Sequence, residues 1–219
     1  MRSPRPVLAF DSGSPRASAA VALAGRVLAR REISRDGGDG DLLRLLAAVL
    51  ADAAVEPREL GGVVALAGPG SFTGVRVACA SAQALARACD VPAAGMPTLA
   101  ALALVAPASA AEVLSVVDAL RDEWFVQRFG TPAASGLRPP LGPPEIWRPG
   151  DPDPPAAAVI AGFGARRFAP SATAGERREP EHLAAAVAAA ATAPDWRWDD
   201  ALLTRPLHLR APATTGPRS

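Results

Sequence analysis

The residues best suited to chemistry form a glycine-rich run at 68–76, with the sequence GPGSFTGVR. The run follows an apolar stretch at 63–67 and precedes an apolar segment with helical spacing. Glycine and hydroxyl residues just before a helix expose backbone N–H groups that can hold an anion. The same glycines can instead serve only to let two backbone segments pack closely. Both interpretations of the run stay open at the level of sequence.

Two aspartates follow predicted buried strands and are the second candidate for chemistry. Asp11 comes after Val7–Phe10, and Asp118 comes after Val113–Val117. A carboxylate at the end of a strand can bind a magnesium ion or orient phosphates. It can equally accept hydrogen bonds from the amides of its own turn. Because a hairpin follows each aspartate, the pattern also predicts a weak internal repeat and two related lobes.

The residue types that are missing exclude several chemistries. The 219 residues include no lysine, so neither a phosphate-loop lysine nor a Schiff base is available. A net charge of +1 gives no basic character that would favour nucleic acid. The two histidines, His182 and His208, are too few for a histidine-rich metal site. Cys79 and Cys89 lie about 15 Å apart on one predicted helix, so they cannot form a disulfide there.

The apolar stretches of the sequence predict neither a secretory signal nor a membrane span. The apolar stretch near the amino terminus is interrupted by Asp11 and is too short for a secretory signal. The longest apolar run ends at Pro107 and is too short to span a bilayer. These features predict a cytoplasmic protein that is not associated with a membrane.

Hydrophobic periodicity predicts an α/β protein in which strands alternate with helices. Predicted strands span residues 7–10, 17–23, 27–33, 63–67, 113–117, 123–129 and 157–161. Predicted helices span residues 41–54, 75–88, 99–105 and 181–193, with Asp41 as an N-cap of the first. Residues 131–155 are rich in proline and glycine and are predicted to be irregular, as is a turn at 162–164. The tail 204–210 is predicted to be extended or a short helix.

Segments along the whole chain resemble the TsaB family. The glycine-rich run is the most specific of them, and the others match more modestly. They are residues 7–12 (VLAFDS), 95–99 (GMPTL), 116–119 (VVDA) and 206–210 (PLHLR). Residues 131–180 match poorly.

The resemblance implies an ASKHA fold, that of the actin, sugar-kinase and Hsp70 group, with lobes at 1–106 and 107–219. The second lobe would be reduced, and rich in proline and glycine at 131–155. The resemblance implies a scaffold subunit without catalytic activity or a cofactor. Its partner would be the catalytic paralogue TsaD, which forms threonylcarbamoyladenosine at position 37 of tRNA. A TsaE-like ATPase would bind the same pair, and tRNA would be met only through the complex. The isolated chain could form a homodimer.

The resemblance also assigns residues to these roles. Helices 41–54 and 75–88 would form the bundle with the partner. The implied interface residues are Leu42, Leu45, Leu46, Val49, Val75, Ala78, Cys79, Ala82 and Leu85. Apart from the resemblance, the chemistry and position of six residues suit contact with an anion or nucleotide; they are Asp11, Gly70, Ser71, Thr73, Gly74 and Arg76.

Two segments depart from the family pattern. Residues 36–40 replace a histidine-containing pair, and 120–125 differ from the usual arginine-rich hairpin. An alternative function is a small ASKHA-type phosphotransferase that uses ATP, Asp11 and the glycine-rich run. The missing lysine and the short second lobe argue against this alternative.

Overall fold

The computed structural model describes residues 4–34, 41–168 and 175–209. Its strands are β1 (Val7–Asp11), β2 (Arg16–Leu23), β3 (Arg26–Ser34), β4 (Gly62–Leu66), β5 (Ala93–Met96), β6 (Val113–Asp118), β7 (Trp124–Phe129), β8 (Glu145–Trp147), β9 (Val159–Phe163) and β10 (Glu176–Arg178). Its helices are α1 (Asp41–Asp52), α2 (Phe72–Cys89), α3 (Thr98–Ala103), α4 (Leu183–Ala191) and α5 (Ala201–Thr204). The α/β class predicted from the sequence is confirmed.

The strands form two five-stranded sheets with the same topology. The first has the order β3-β2-β1-β4-β5, and the second has the order β8-β7-β6-β9-β10. In each, the first strand pairs antiparallel with the second and parallel with the fourth. The internal repeat predicted from the two strand-ending aspartates is therefore confirmed, and it covers the whole of each sheet.

Each sheet is followed in the chain by a helix that packs on the other sheet. Helix α3 follows β5 but contacts β6, β7 and β9, whereas α4 follows β10 but contacts β1, β2 and β3. The two helices touch each other, and a central apolar cluster joins them to both sheets. Because each helix packs on the sheet of the other half, the two halves of the chain share one core. A division into lobes at residue 106 stays a prediction.

The outer faces of the two sheets are covered differently. Helices α1 and α2 lie on the same face of the first sheet, α1 over β2 and β3 and α2 over β4 and β5. In the second sheet the outer face is covered by a cluster that includes Trp124, Trp147 and Phe168. Each tryptophan ring lies 5.1 Å from the phenylalanine ring in an edge-to-face arrangement. Within the described residues, only the first sheet carries an outer helical layer.

Several predicted boundaries differ from the structure. Helix α2 starts three residues before the predicted position, because the Ser71 hydroxyl accepts a hydrogen bond from the Gly74 amide and acts as its N-cap. Gly162 and Phe163 continue β9 and do not form a turn, because they pair with β6. The predictions for Asp41, for residues 36–40 and for the end of the tail at residue 210 concern side chains or segments outside the described residues.

Three strands were absent from the predicted set. They are β5, with the sequence AAGM, and the three-residue strands β8 and β10. Their sequences lack the run of β-branched residues that signals a strand, so they are ordered by pairing with neighbours. Strand β8 also makes the segment at 131–155 less irregular than predicted.

None of the helices in the described residues has the length and apolarity needed to cross a membrane.

The two cysteines are free, and they differ in exposure. Burial raises the pKa of the Cys79 thiol to about 11, whereas Cys89 is partly exposed at the end of α2. At pH 8 only about one Cys79 thiol in a thousand would be ionised, so we expect iodoacetamide to label Cys89 and to spare Cys79. Peptide mass spectrometry would measure this, with labelling in urea as the control. Equal labelling of both thiols in the folded chain would contradict the prediction.

Candidate functional site

A cleft of about 630 Å³ opens between the two sheets. Its walls come from the turn after β1, the loop before α2, the turn after β6 and the tail that follows α5. The lining is largely apolar, with a few charged groups at the rim. The lining residues include Gly13, Ser14, Arg16, Gly70, Ser71, Phe72, Asp118, Leu120, Phe163, Arg167, Glu179, Leu207 and His208. A cleft of this size and composition can hold a small molecule or a segment of a partner.

Asp11 does not line this cleft. Its side chain is buried, and Oδ1 accepts hydrogen bonds from the Gly13 and Ser14 amides at 2.7 and 3.3 Å. The carboxylate therefore closes the turn between β1 and β2, which is the local role of an Asx turn.

The glycine-rich run packs directly against that turn. The Ser71 amide donates to the Gly13 carbonyl at 2.8 Å, and the Ser12 hydroxyl donates to the Gly74 carbonyl at 2.7 Å. A Cβ atom on Gly70 would lie 2.8 Å from the Gly13 oxygen, and one on Gly74 would overlap the Ser12 oxygen. At these two positions, glycine is required because two backbones are in contact.

Asp118 repeats the geometry of Asp11 in the second sheet. Its Oδ1 accepts from the Leu120 amide at 2.8 Å, so it also closes an Asx turn. Its Oδ2 accepts from the Arg167 guanidinium at 2.7 Å, and both residues line the cleft. Leu120, Arg121 and Asp122 all have positive φ angles, so this turn is held in a backbone conformation that L-residues rarely adopt.

Arg76 lies in the first turn of α2 and points along the helix surface. Its guanidinium carbon is 4.0 Å from the centre of the Phe72 ring, which is a cation–π contact. His208, from the tail, contacts the same phenylalanine with ring centres 5.0 Å apart. The arginine is thus held by an aromatic side chain of its own helix.

The six residues predicted to contact an anion are only partly brought together. Gly70 and Ser71 line the cleft, whereas Asp11, Thr73, Gly74 and Arg76 do not. Apart from Asp118, sequence reasoning missed the charged residues of the cleft, which are Arg16, Arg167 and Glu179. These come from separate elements, and no local spacing marks them. For His208, the only signal in the sequence was the family resemblance of residues 206–210.

The predicted interface residues on α1 and α2 face inward. All of them except Leu85 are buried in one cluster with the first sheet. The outward faces carry a different set, on which small side chains predominate. This set comprises Leu43, Arg44, Ala47 and Ala51 of α1 and Phe72, Thr73, Arg76, Ala80, Ala84, Arg87 and Ala88 of α2. Leu43 is 65% exposed and adds apolar surface to this set.

The chain is similar in sequence and in fold to known proteins. The family model described as TsaD, tRNA N6-adenosine threonylcarbamoyltransferase, matches residues 40–131. An uncharacterized protein of Mycobacterium tuberculosis is 32% identical over 211 residues, covering 94% of this chain and 92% of that protein. The structure of YeaZ from Pseudomonas aeruginosa, the TsaB protein, superposes with a TM-score of 0.71 at 25% identity, covering 85% of this chain and 90% of that one. The chain belongs to the TsaB family.

A second solved structure agrees in fold. It is a protein described by its similarity to the peptidase YeaZ from Pseudomonas aeruginosa, with a TM-score of 0.75 at 24% identity, covering 95% of this chain and all of that one. The ASKHA fold predicted from the resemblance is confirmed. The segment that matches the TsaD model begins just before α1 and runs past β7, so it contains both outer helices of this TsaB-family chain.

Proposed function

We propose that this TsaB-family chain is a non-catalytic subunit that binds and activates a TsaD-like paralogue. The complex would form threonylcarbamoyladenosine at position 37 of tRNA, and the chain would meet tRNA only within it. The observation that carries the proposal is the outward face of α1 and α2. Two helices on one face of a sheet, with small exposed residues, let further helices approach closely.

The proposal names side chains other than those implied by the resemblance. Leu42, Leu45, Ala78 and Ala82 already pack against the first sheet, so a folded partner would meet the opposite faces. We therefore propose the outward set defined above as the partner surface. The same surface would pair two copies of the chain when no paralogue is present, and a TsaE-like ATPase would join the assembled pair.

The glycine-rich run has a place in this proposal. The Ser71 amide of the run donates to the Gly13 carbonyl of the turn after β1, and the glycines of the run allow this backbone contact. An anion held near Arg76 would therefore be shared with the partner subunit. The alternative of an ATP-dependent phosphotransferase has less support, because Asp11 is engaged by the amides of its own turn. Calorimetry with Mg-ATP on the isolated chain would test that alternative.

A tryptophan substitution at Ala84 tests the partner surface. Ala84 is exposed at the middle of the small-residue face, so Ala84→Trp should leave the chain folded but overpack a helix contact. We expect the dissociation constant for the cognate TsaD-like subunit to rise about tenfold or more. Co-purification, followed by interferometry with the purified pair, would measure it.

The matched control is Ala156→Trp, an exposed alanine on the second half of the chain. It should bind the partner as the unaltered chain does. Absence of any complex between the unaltered chain and the TsaD-like subunit would overturn the proposed function. Unchanged binding by Ala84→Trp would show instead that the complex forms through another face.

A further inference from the structure

The last described residues of the chain form a strap, defined here as residues 199–209, along the edge of the first sheet. The Gly95 amide of β5 donates to the Asp199 carbonyl at 2.9 Å, and Leu203 is buried against the sheet. Further along, the Leu207 amide donates to the Ala67 carbonyl at 2.8 Å. The strap thereby covers an edge strand and brings the residues that follow Leu207 to the cleft.

His208 extends from this strap onto the first residue of α2. Its ring centre lies 5.0 Å from that of Phe72, with the ring planes inclined at 39°. Phe72 also carries the Arg76 guanidinium at 4.0 Å and is 38% exposed. The three side chains therefore form one connected contact at the amino-terminal end of α2, and one of its members comes from the opposite end of the chain.

The charge of Arg76 has no counterpart at this place. The helix dipole disfavours a cation in the first turn of α2. Among the described residues, no carboxylate lies within ion-pairing distance of Arg76, whereas Arg31 and Arg167 are each paired with an aspartate. Arg76 is exposed and belongs to the outward face of α2. The arrangement is complementary to an acidic side chain that arrives from outside.

We propose that His208 is a positioning residue for docking of the partner. Through the Phe72 ring, it holds Arg76 where the guanidinium meets an acidic side chain of the TsaD-like subunit. This inference rests on the proposed function. It extends the proposed partner surface from the middle of α2 to the strap. The spacing of residues in α2 gives no sign that the strap takes part.

Substitution of the histidine tests the positioning role. We expect His208→Ala to raise the dissociation constant for the cognate TsaD-like subunit about fivefold, because one aromatic contact is lost. His208→Phe keeps a ring on Phe72 and should bind within about twofold of the unaltered chain. His182→Ala, at the other histidine of the chain, is the control and should bind normally. Arg76→Ala should weaken binding by a similar factor and flatten its dependence on salt.

The double variant Arg76→Ala, His208→Ala decides between positioning and an independent contact. If His208 acts through Arg76, the double variant should bind no more weakly than Arg76→Ala alone. If the double variant instead raises the dissociation constant by the product of the two single factors, the proposal is overturned. Unchanged binding by His208→Ala would also overturn it. Hydrogen exchange of the isolated chain gives a measurement without the partner, since His208→Ala should speed exchange in the first turn of α2. A folded chain that never binds the TsaD-like subunit would overturn the proposed function and this inference together, whereas normal binding by all variants would overturn the inference alone.

Discussion

Replacing Gly74 with alanine is expected to lower the free energy of unfolding by about 3 kcal/mol. Helix propensity alone predicts the opposite sign, because alanine is favoured over glycine inside a helix by about 1 kcal/mol. Packing decides the outcome here. A Cβ at this position would overlap the Ser12 carbonyl oxygen, which is a backbone atom that cannot rotate away.

Relief of that overlap requires α2 to move away from the turn after β1. The movement would break the hydrogen bond from the Ser12 hydroxyl to the Gly74 carbonyl and the one from the Ser71 amide to the Gly13 carbonyl. Urea denaturation followed by circular dichroism would measure the loss. Gly142→Ala is the matched control, since no atom lies within 4 Å of a Cβ built there, and its effect should stay within about 0.5 kcal/mol. A Gly74→Ala chain as stable as the unaltered one would mean that the turn and α2 are not packed backbone to backbone.

Replacing Arg138 with leucine is expected to cost about 3 kcal/mol of stability. Arg138 is buried, and its guanidinium donates to the carbonyls of Pro107, Ala110 and Gly130 at 2.7 to 2.8 Å. Burial also lowers the pKa of this guanidinium below its usual value. The side chain joins the connection between α3 and β6 to the end of β7, so leucine would leave buried carbonyls at that junction without their donor.

Lysine should recover only part of the loss, because a single ammonium group cannot reproduce the planar fork of donors. The control is Arg178→Leu, which removes an exposed ion pair with Glu176 and should change stability by less than about 1 kcal/mol. The urea concentration at the unfolding midpoint would be compared for both variants, provided that the slopes of their unfolding transitions agree. Equal midpoints for the Arg138 and Arg178 variants would refute a structural role for the buried guanidinium.

Under the proposed function, partner docking and stability depend on different faces of the same helices. The inward face of α2, with Ala78 and Ala82, belongs to the core of the first sheet. The outward face, with Ala80 and Ala84, carries the proposed interface. A substitution that abolishes partner binding is informative only if it lies on the second face, because one on the first also destabilises the core of the first sheet.

Much of the fold could be predicted from local patterns in the sequence. The two strand-ending aspartates predicted an internal repeat, because an aspartate after a buried strand favours a tight turn in either lobe. Apolar spacing predicted α1 and α2 and the residues they bury, since a helix repeats every 3.6 residues. The spacing could not say whether a partner or the chain itself covers Leu42 or Val75, because both present the same pattern. The structure shows that the first sheet covers them.

What the sequence by itself determined is therefore the α/β class, the repeat, the family and the turn that starts α2. These follow from residues that are close together in the chain. Only the tertiary structure decided that α3 and α4 exchange sheets, that β5 is ordered beside β4 and the strap, and that His208 contacts Phe72. Such contacts join residues far apart in the chain, and their free energy comes from burial and pairing that no local spacing encodes.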